Sequence, residues 1–208
     1  MAGYLFGLLQ TGYFYGKMHG MDIRQHGSGN SGATNALRVM GKKAGLVVFL
    51  GDAFKALIPC TLVRVILGGR ADYAGTAYLY MLYLGFGVIL GHNFPFYMHF
   101  KGGKGIACMA GLIASLDWRL TLICAAVFLG TVLATRYVSL ASILVSITFF
   151  LVNLYFSMKG DYHLAQEAVP EFGCLLLVIS AMAIWRHRAN IKRLLAGNEN
   201  KLWGKKEK

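Results

Sequence analysis

Charged residues are scarce in this sequence, and acidic residues are the scarcest of them. Charged side chains make up 14% of the 208 residues, with 9 Asp and Glu against 21 Lys and Arg, while 56% of the chain is apolar. Proline, which interrupts helices, occurs only 3 times. This composition excludes a disordered chain and is typical of an integral membrane protein.

The cysteines have neither the spacing of a metal site nor that of a disulfide framework. Each lies in an apolar segment, and they are Cys60, Cys108, Cys124 and Cys174. A free cysteine in apolar surroundings behaves as a small hydrophobic residue. We therefore expect small core residues, and we expect neither a metal nor a cofactor.

Apolar runs dominate the rest of the chain. They cover about residues 2–16, 44–67, 75–98, 105–116, 120–135, 139–157 and 171–185. The first run is followed by no small-residue cleavage site, so we expect a retained span rather than a signal peptide. The run 105–116 covers only about 18 Å against a hydrocarbon core of about 30 Å. The two short central runs are therefore open to a second interpretation, which is one span broken near Asp117.

The positions of the basic residues decide between these topologies. With seven spans and an outer N-terminus, 16 of the 21 Lys and Arg residues fall in the inner segments 17–43, 99–104, 136–138 and 186–208. This is the positive-inside pattern. A single span over 105–135 would carry the tail to the outer face. We therefore predict one all-α membrane domain, residues 1–208, with seven spans, two of them short, and a basic cytoplasmic tail at 186–208.

A glycine-rich stretch, GSGNSGATN at residues 27–35, lies in the first inner segment. The G-x-G-x-x-G spacing of dinucleotide-binding loops is formed by Gly27, Gly29 and Gly32. That spacing indicates a dinucleotide only between a strand and a helix of a βαβ unit, which this sequence lacks. Glycines instead let a backbone approach a ligand closely. We expect Thr34, Asn35 and Arg38 to share one face of the short helix that follows.

Anion binding is the chemistry that the inner segments favour. In this topology the second, fourth and sixth helices begin at the inner face, and helix N-termini attract anions. Cations precede these helices, namely Lys42, Lys43, Lys101, Lys104 and Arg136. Ser139 and Ser142 add hydroxyl groups to the sixth helix, with plain helix capping as the alternative.

Two histidines and one charged pair are further candidates. Asn190 follows His187 on the same side of a helix, and His187 would carry a proton or donate to phosphate, unless it is an interfacial histidine without a chemical role. His92 either shapes the loop before the fourth span or touches the ligand. Asp52 and Lys55 are expected to pair within the second span.

Nucleotide and metal chemistry are disfavoured. The stretch KGGKGI has the look of a phosphate loop, but Gly105 follows Lys104 where a nucleotide-binding loop needs Ser or Thr. Phosphoryl transfer recruits Mg²⁺ through acidic residues, and Asp22 is the only acid in the first three inner segments. The predicted site is therefore anion-binding and free of metal.

Four motifs resemble those of the bacterial acyl-phosphate:glycerol-3-phosphate acyltransferases, the PlsY family. They are GSGNSGATNALRVMGKKAG, GHNFPFYMHFKGGKG, TRYVSLAS and WRHRANIKRLLAGNE, in that order. The resemblance implies a bacterial cytoplasmic-membrane enzyme that moves an acyl group from acyl phosphate to the 1-hydroxyl of glycerol 3-phosphate on the cytoplasmic face. Its partners would be these substrates, membrane lipid and, functionally, an enzyme that forms acyl phosphate, with no nucleic acid.

The resemblance and the anion-binding pattern together give the candidate site. Glycerol 3-phosphate is expected at Ser28, Arg38 and Lys104. Acyl phosphate is expected at Gly27, Gly29, Asn30, Gly32, Thr34, Asn35, Gly103, Gly105, Ser139, Ser142 and His187. The catalytic positions would be Lys104, Ser142, His187 and Asn190. Because an acyl phosphate is already an activated mixed anhydride, no acyl-enzyme is required.

Two other classes of protein remain as alternatives. A transporter of a phosphorylated solute needs polar groups reachable from both faces, and only Asp52 and Lys55 are expected at depth. A non-catalytic lipid-binding protein would use its basic face alone. Acyltransferases with an H-x-x-x-x-D dyad are excluded, because no histidine here has Asp five positions later.

Overall fold

The structure, a computed structural model, describes residues 1–203 and is helical over them. Its α-helices are α1 Ala2–Gly7, α2 Thr11–Met18, α3 Ala33–Met40, α4 Lys42–Gly68, α5 Ala77–Asn93, α6 Ile106–Leu116, α7 Trp118–Thr135, α8 Val138–Met158, α9 Val169–Arg186 and α10 Arg188–Leu195. Short 3-10 turns join several of them. The end of the predicted basic tail, residues 204–208, lies outside the described residues.

Five helical stretches are long and apolar enough to cross a bilayer. They are Lys42–Gly68, Ala77–Met98, Trp118–Thr135, Val138–Met158 and Gln166–Arg186. The apolar helix Ile106–Leu116 is shorter. These bounds match the predicted runs to within a few residues, and the all-helical membrane architecture agrees with the sequence. The count of seven spans stays a prediction.

The first apolar run, predicted as one span over residues 2–16, forms two short helices instead. The helix is interrupted at residues 8–10, between α1 and α2. The side-chain amide of Gln10 donates to the carbonyl of His92 (2.9 Å), and the Lys55 ammonium donates to the carbonyl of Leu9 (2.5 Å). A break in a membrane helix is tolerated where neighbouring side chains satisfy the freed backbone groups.

Helix α1 lies directly on α5 through small residues. A Cβ added to Gly3 would lie 2.2 Å from the carbonyl oxygen of Leu84, and one added to Gly7 would lie 2.2 Å from that of Val88. Such close backbone contact is the usual packing of small residues four apart in membrane helices. The contact fixes the broken segment against the rest of the fold.

The predicted separation of the two short central runs is present. The carboxylate of Asp117 accepts hydrogen bonds from the backbone N–H groups of Arg119 (2.6 Å) and Leu120 (3.4 Å), so it caps the N-terminus of α7. Helix α6 ends at Leu116, and no continuous helix covers 105–135.

The core lies where α4, α5, α6, α8 and α9 meet. Its largest fully buried apolar side chains include Phe149, Phe172, Met81, Leu82, Met109 and Leu112. The expectation of buried cysteines is confirmed for Cys60, Cys108 and Cys124. It is wrong for Cys174, which is exposed because its position on α9 faces away from the other helices.

Candidate functional site

A cavity of about 600 Å³ opens between the glycine loop, α4, α6, α7 and α8. The predicted site residues that line it are Ser28, Asn30, Gly32, Thr34, Asn35, Arg38, Lys104, Gly105, Ser139, Ser142, His187 and Asn190. Three predicted residues, Gly27, Gly29 and Gly103, are not part of the lining. The structure therefore brings together predicted residues from the first, second and fourth inner segments. Arg136, from the third inner segment, does not line the cavity.

The side chain of Asn35 organises the glycine loop. Its side-chain amide donates to the carbonyls of Ile23, His26 and Asn30, and its oxygen accepts from the backbone N–H of Ser28 (2.8 Å). Gly27 has a φ of +61°, which favours glycine. The Asn35 side chain thus faces the loop, while Thr34 and Arg38 remain on the cavity side.

Two of the glycines make room for neighbours. A Cβ added to Gly27 would lie 2.3 Å from the Asn35 side-chain oxygen. One added to Gly103 would lie 2.0 Å from Nε2 of His92. Both glycines therefore act on the site through its shape. Their contact with acyl phosphate stays a prediction.

The C-terminal segment folds back over the polar end of the cavity. The Arg38 guanidinium donates to the carbonyl of Asn200 (3.1 Å), and the backbone N–H of Leu202 donates to the carbonyl of Arg136 (2.8 Å). Residues 198–202 therefore lie against the residues of the site.

Glu199 is the main residue of the site that sequence reasoning missed. It is buried, and its carboxylate accepts from the Asn190 side-chain amide (2.9 Å) and from Nε of Arg193 (2.8 Å). The oxygen of that Asn190 amide accepts a hydrogen bond from the Lys104 ammonium. The available signal was one acid at the end of a basic motif, WRHRANIKRLLAGNE.

Lys104 lies among other cations at the head of the cavity. Its pKa is lowered to about 8, mainly by burial and also by the positive charges of Arg193, Arg186 and Arg38, against the opposing effect of Glu199. An anion that enters this cluster would restore a normal ammonium pKa. Excess positive charge with one carboxylate is the electrostatic arrangement of an anion site.

His187 lies at the junction of α9 and α10, and its ring nitrogens have different roles. Nδ1–H donates to the carbonyl of Ala183 (2.8 Å), which assigns the proton of the neutral ring to Nδ1 and leaves Nε2 an acceptor. Burial and the charge of Lys104 lower the pKa of His187 to about 4. The ring is therefore neutral near pH 7 and does not bind phosphate as a cation.

The two serines of α8 differ in their hydrogen bonding. The Ser142 hydroxyl donates to the carbonyl of Val138 within its own helix (2.8 Å). The Ser139 hydroxyl oxygen is buried and has no partner among the residues that the structure describes. Ser139 therefore has a donor to offer a ligand, whereas Ser142 offers an acceptor.

The predicted pair of Asp52 and Lys55 is confirmed, with 2.8 Å between carboxylate and ammonium. His92 joins it, since its Nδ1 lies 2.9 Å from the Lys55 ammonium. The carbonyl of His92 accepts from the backbone N–H of Gly103 (3.1 Å), so His92 also shapes the loop before α6. Asp52 and His92 line the cavity.

Within residues 1–203, His, Cys, Asp and Glu form no group of three or more that would hold a metal ion. The cavity lining combines cations, hydroxyls, amides, two carboxylates, two histidines and apolar side chains.

Comparison with known proteins identifies relatives over nearly the whole chain. The sequence profile of the family described as glycerol-3-phosphate acyltransferase matches residues 1–197. Proteins of that name from Halalkalibacterium halodurans and Staphylococcus haemolyticus are 39% and 41% identical, covering 100% and 97% of this chain and 95% of each relative.

Two solved structures have the same fold. A crystal structure of PlsY, an integral membrane glycerol 3-phosphate acyltransferase in its glycerol 3-phosphate form, superposes with a TM-score of 0.81 at 36% identity, covering 97% of this chain and 92% of that one. The lysophosphatidic acid form gives a TM-score of 0.78 at 35% identity, with 96% and 91% covered. The chain described here belongs to the glycerol-3-phosphate acyltransferase family.

Proposed function

We propose that this membrane acyltransferase takes a fatty acyl group from acyl phosphate and transfers it to the 1-hydroxyl of glycerol 3-phosphate. The products are 1-acyl-glycerol-3-phosphate, an early intermediate of phospholipid synthesis, and phosphate. One observation carries the proposal, which is that a single cavity joins a cation-lined head to an apolar groove. An acyl phosphate has the same two parts.

The head of the cavity supports binding of two phosphate groups. Arg38, Lys104 and Arg193 line it together with the hydroxyls of Ser28 and Ser139. Hydrogen bonds to charged groups contribute about 1.5–3 kcal/mol each. Three or four of them supply roughly 5–12 kcal/mol, enough for millimolar to micromolar binding. We assign glycerol 3-phosphate to Ser28, Arg38 and Lys104, and the donor phosphate to the glycine loop, Gly105 and the serines of α8.

The groove supports the fatty acyl chain. It runs between α4, α6 and α7, and its apolar lining includes Phe49, Leu50, Ala53, Phe54, Leu57, Ile106, Ala107, Ala110, Ala114, Ala125, Phe128 and Leu129. Small side chains on α6 leave the space, and burying each CH₂ group of a ligand contributes about 0.8 kcal/mol. The chain would lie between the helices, with its phosphate at the polar head.

The reaction is a direct displacement. The 1-hydroxyl oxygen of glycerol 3-phosphate attacks the acyl carbonyl carbon, the bond from that carbon to the phosphate oxygen breaks, and phosphate leaves with the bonding electrons. The hydroxyl proton passes either to Nε2 of His187 or to the leaving phosphate. Fixed cations would hold the two substrates in a near-attack arrangement, and Asn190 supports Lys104 from the tail.

The topology belongs to the same proposal. We infer that residues 1–208 form one domain, in which α1 with α2 and the short α6 complete seven spans with an outer N-terminus. The cavity head would then face the cytoplasm at the inner membrane of a bacterium, beside the basic segments. An enzyme that forms acyl phosphate would supply the donor.

Purified protein, supplied with glycerol 3-phosphate and palmitoyl phosphate and a chelator but no nucleotide, tests the proposal. Release of phosphate together with 1-palmitoyl-glycerol-3-phosphate supports it. Equal use of palmitoyl-CoA contradicts the donor assignment and leaves the acyltransferase class intact. Flux of glycerol 3-phosphate into proteoliposomes without acyl transfer contradicts the whole proposal in favour of a transporter.

A further inference from the structure

A buried cluster of three titratable side chains lies beside the cavity, and the reaction described above does not use it. Asp52 and Lys55 on α4 and His92 on α5 are exposed by 1%, 7% and 3%. A buried ionisable group inside a membrane protein is costly and is usually retained for a function. The cluster therefore requires an explanation beyond packing.

The hydrogen bonds of Lys55 determine which ring nitrogen of His92 carries the proton. Its ammonium has three hydrogens, which go to the carbonyl of Leu9 (2.5 Å), to a carboxylate oxygen of Asp52 (2.8 Å) and to Nδ1 of His92 (2.9 Å). An ammonium only donates, so Nδ1 must be unprotonated. The proton of the neutral ring is therefore on Nε2.

That Nε2–H is next to the polar head of the cavity. His92 lines the cavity, and the hydrogen bond of its ring is formed at Nδ1. The Nε2 atom lies over Gly103, where an added Cβ would be only 2.0 Å away. Gly103 immediately precedes Lys104. A buried neutral donor thus lies against Gly103, the residue before the main lysine of the anion site.

The place of this donor in the cavity indicates its partner. Two residues beyond Lys104 the α6 side of the lining becomes apolar, starting at Ile106 and Ala107. The acyl carbonyl of an acyl phosphate must lie at this change from polar to apolar lining. Charged groups already serve the phosphates, whereas a preorganised neutral donor suits a carbonyl oxygen that gains negative charge in the transition state.

We propose that Nε2–H of His92 donates a hydrogen bond to the carbonyl oxygen of the acyl donor as that oxygen becomes an oxyanion, and that Lys55 and Asp52 position it. His92 would be a catalytic residue, because it touches the reacting group. Lys55 would fix the tautomer, and Asp52 would hold the Lys55 ammonium in place. The inference rests on the proposed acyl transfer and adds a role to it.

The tautomer of His92 is the first test, and it needs no substrate. Full-length protein with ¹⁵N-labelled histidine in detergent is expected to give an Nε2–H tautomer for His92, assigned by the signal missing from His92→Phe. Lys55→Met removes the ammonium that faces Nδ1. The Asp52 carboxylate, which lies 3.7 Å from Nδ1, is then the nearest polar group, and the ring proton is expected to move to Nδ1. A wild-type Nδ1–H tautomer, or a doubly protonated ring, overturns the proposal.

Steady-state kinetics are the second test. Loss of one oxyanion donor lowers kcat by about 100- to 1,000-fold, so His92→Phe should lose that much kcat with both KM values within about threefold. His99→Phe, at an exposed position in the segment that follows α5, is the control. An unchanged kcat, or a change confined to KM for glycerol 3-phosphate, overturns the proposal.

The two tests separate this inference from the function on which it rests. Wild-type protein that transfers no acyl group from acyl phosphate contradicts the proposed function, whatever the tautomer. Active wild-type protein with an active His92→Phe contradicts only the role of His92. If His92→Phe does not fold, His92→Gln replaces it in the assignment, and a wild-type Nδ1–H tautomer still overturns the proposal.

Discussion

The ammonium of Lys104 donates a hydrogen bond to the side-chain oxygen of Asn190, although 86 residues separate them in the chain. The same Asn190 amide donates to Glu199. A loop before α6, the start of α10 and the folded-back tail therefore meet at one amide group. This arrangement holds a half-buried lysine in place at the anion site.

Asn190→Asp is expected to reduce activity strongly. The change replaces the donor to Glu199 by a second carboxylate, which repels Glu199 and competes with the substrate phosphate for Lys104. Loss of one charge-assisted contact corresponds to about 10- to 150-fold in kcat/KM. Asn198→Asp, at an exposed position of the same segment, is the control and should stay near wild type. Similar losses in both variants would contradict the specific role of Asn190.

Glu199→Ala is expected to weaken both stability and activity. Without the carboxylate, Arg193 and the Asn190 amide lose their partner in a buried site, and leaving such groups unsatisfied costs about 1–3 kcal/mol. A fall in melting temperature that glycerol 3-phosphate partly reverses is the expected result. Glu167→Ala on an exposed turn serves as the control. A Glu199→Ala protein with wild-type melting temperature and kcat would contradict this role.

The affinity for glycerol 3-phosphate is expected to fall as pH rises through about 8. Lys104 has a pKa lowered to about 8 by burial, so the free enzyme carries the positive charge below that pH and loses it above. The substrate phosphate is already a dianion there, since its second pKa is about 6, and does not cause the change. Lys104→Arg keeps its charge, so the fall in affinity should move to higher pH. An identical pH profile of 1/KM in both proteins would argue against Lys104.

A larger side chain in the groove is expected to impair long acyl donors. Ala125 lines the groove on α7, whereas its neighbour Ala126 does not. Ala125→Phe should expel about two CH₂ groups of a palmitoyl chain, which corresponds to about tenfold in kcat/KM. Octanoyl phosphate should be affected less, and Ala126→Phe should leave both donors unchanged. An equal effect of both substitutions would show that the chain does not occupy this groove.

The sequence predicted the long helices well because apolar runs and charged ends determine them locally. It did not predict the break at residues 8–10, because the groups that satisfy that break, Lys55 and the backbone of α5, are remote in the chain. The sequence also did not show that the Asn35 amide holds the glycine loop, because its partners belong to the loop's folded shape. Glu199 was missed because its partners become neighbours only when the tail folds back.

The central claim is that fixed cations at the head of the cavity hold the phosphate of glycerol 3-phosphate. Isothermal titration calorimetry of this ligand against wild type, Arg38→Ala, Lys104→Ala and the exposed control Lys101→Ala tests it most directly. Each of the first two substitutions should weaken binding by about 10- to 150-fold, and Lys101→Ala should leave it unchanged. Wild-type affinity in Arg38→Ala and Lys104→Ala would contradict the account.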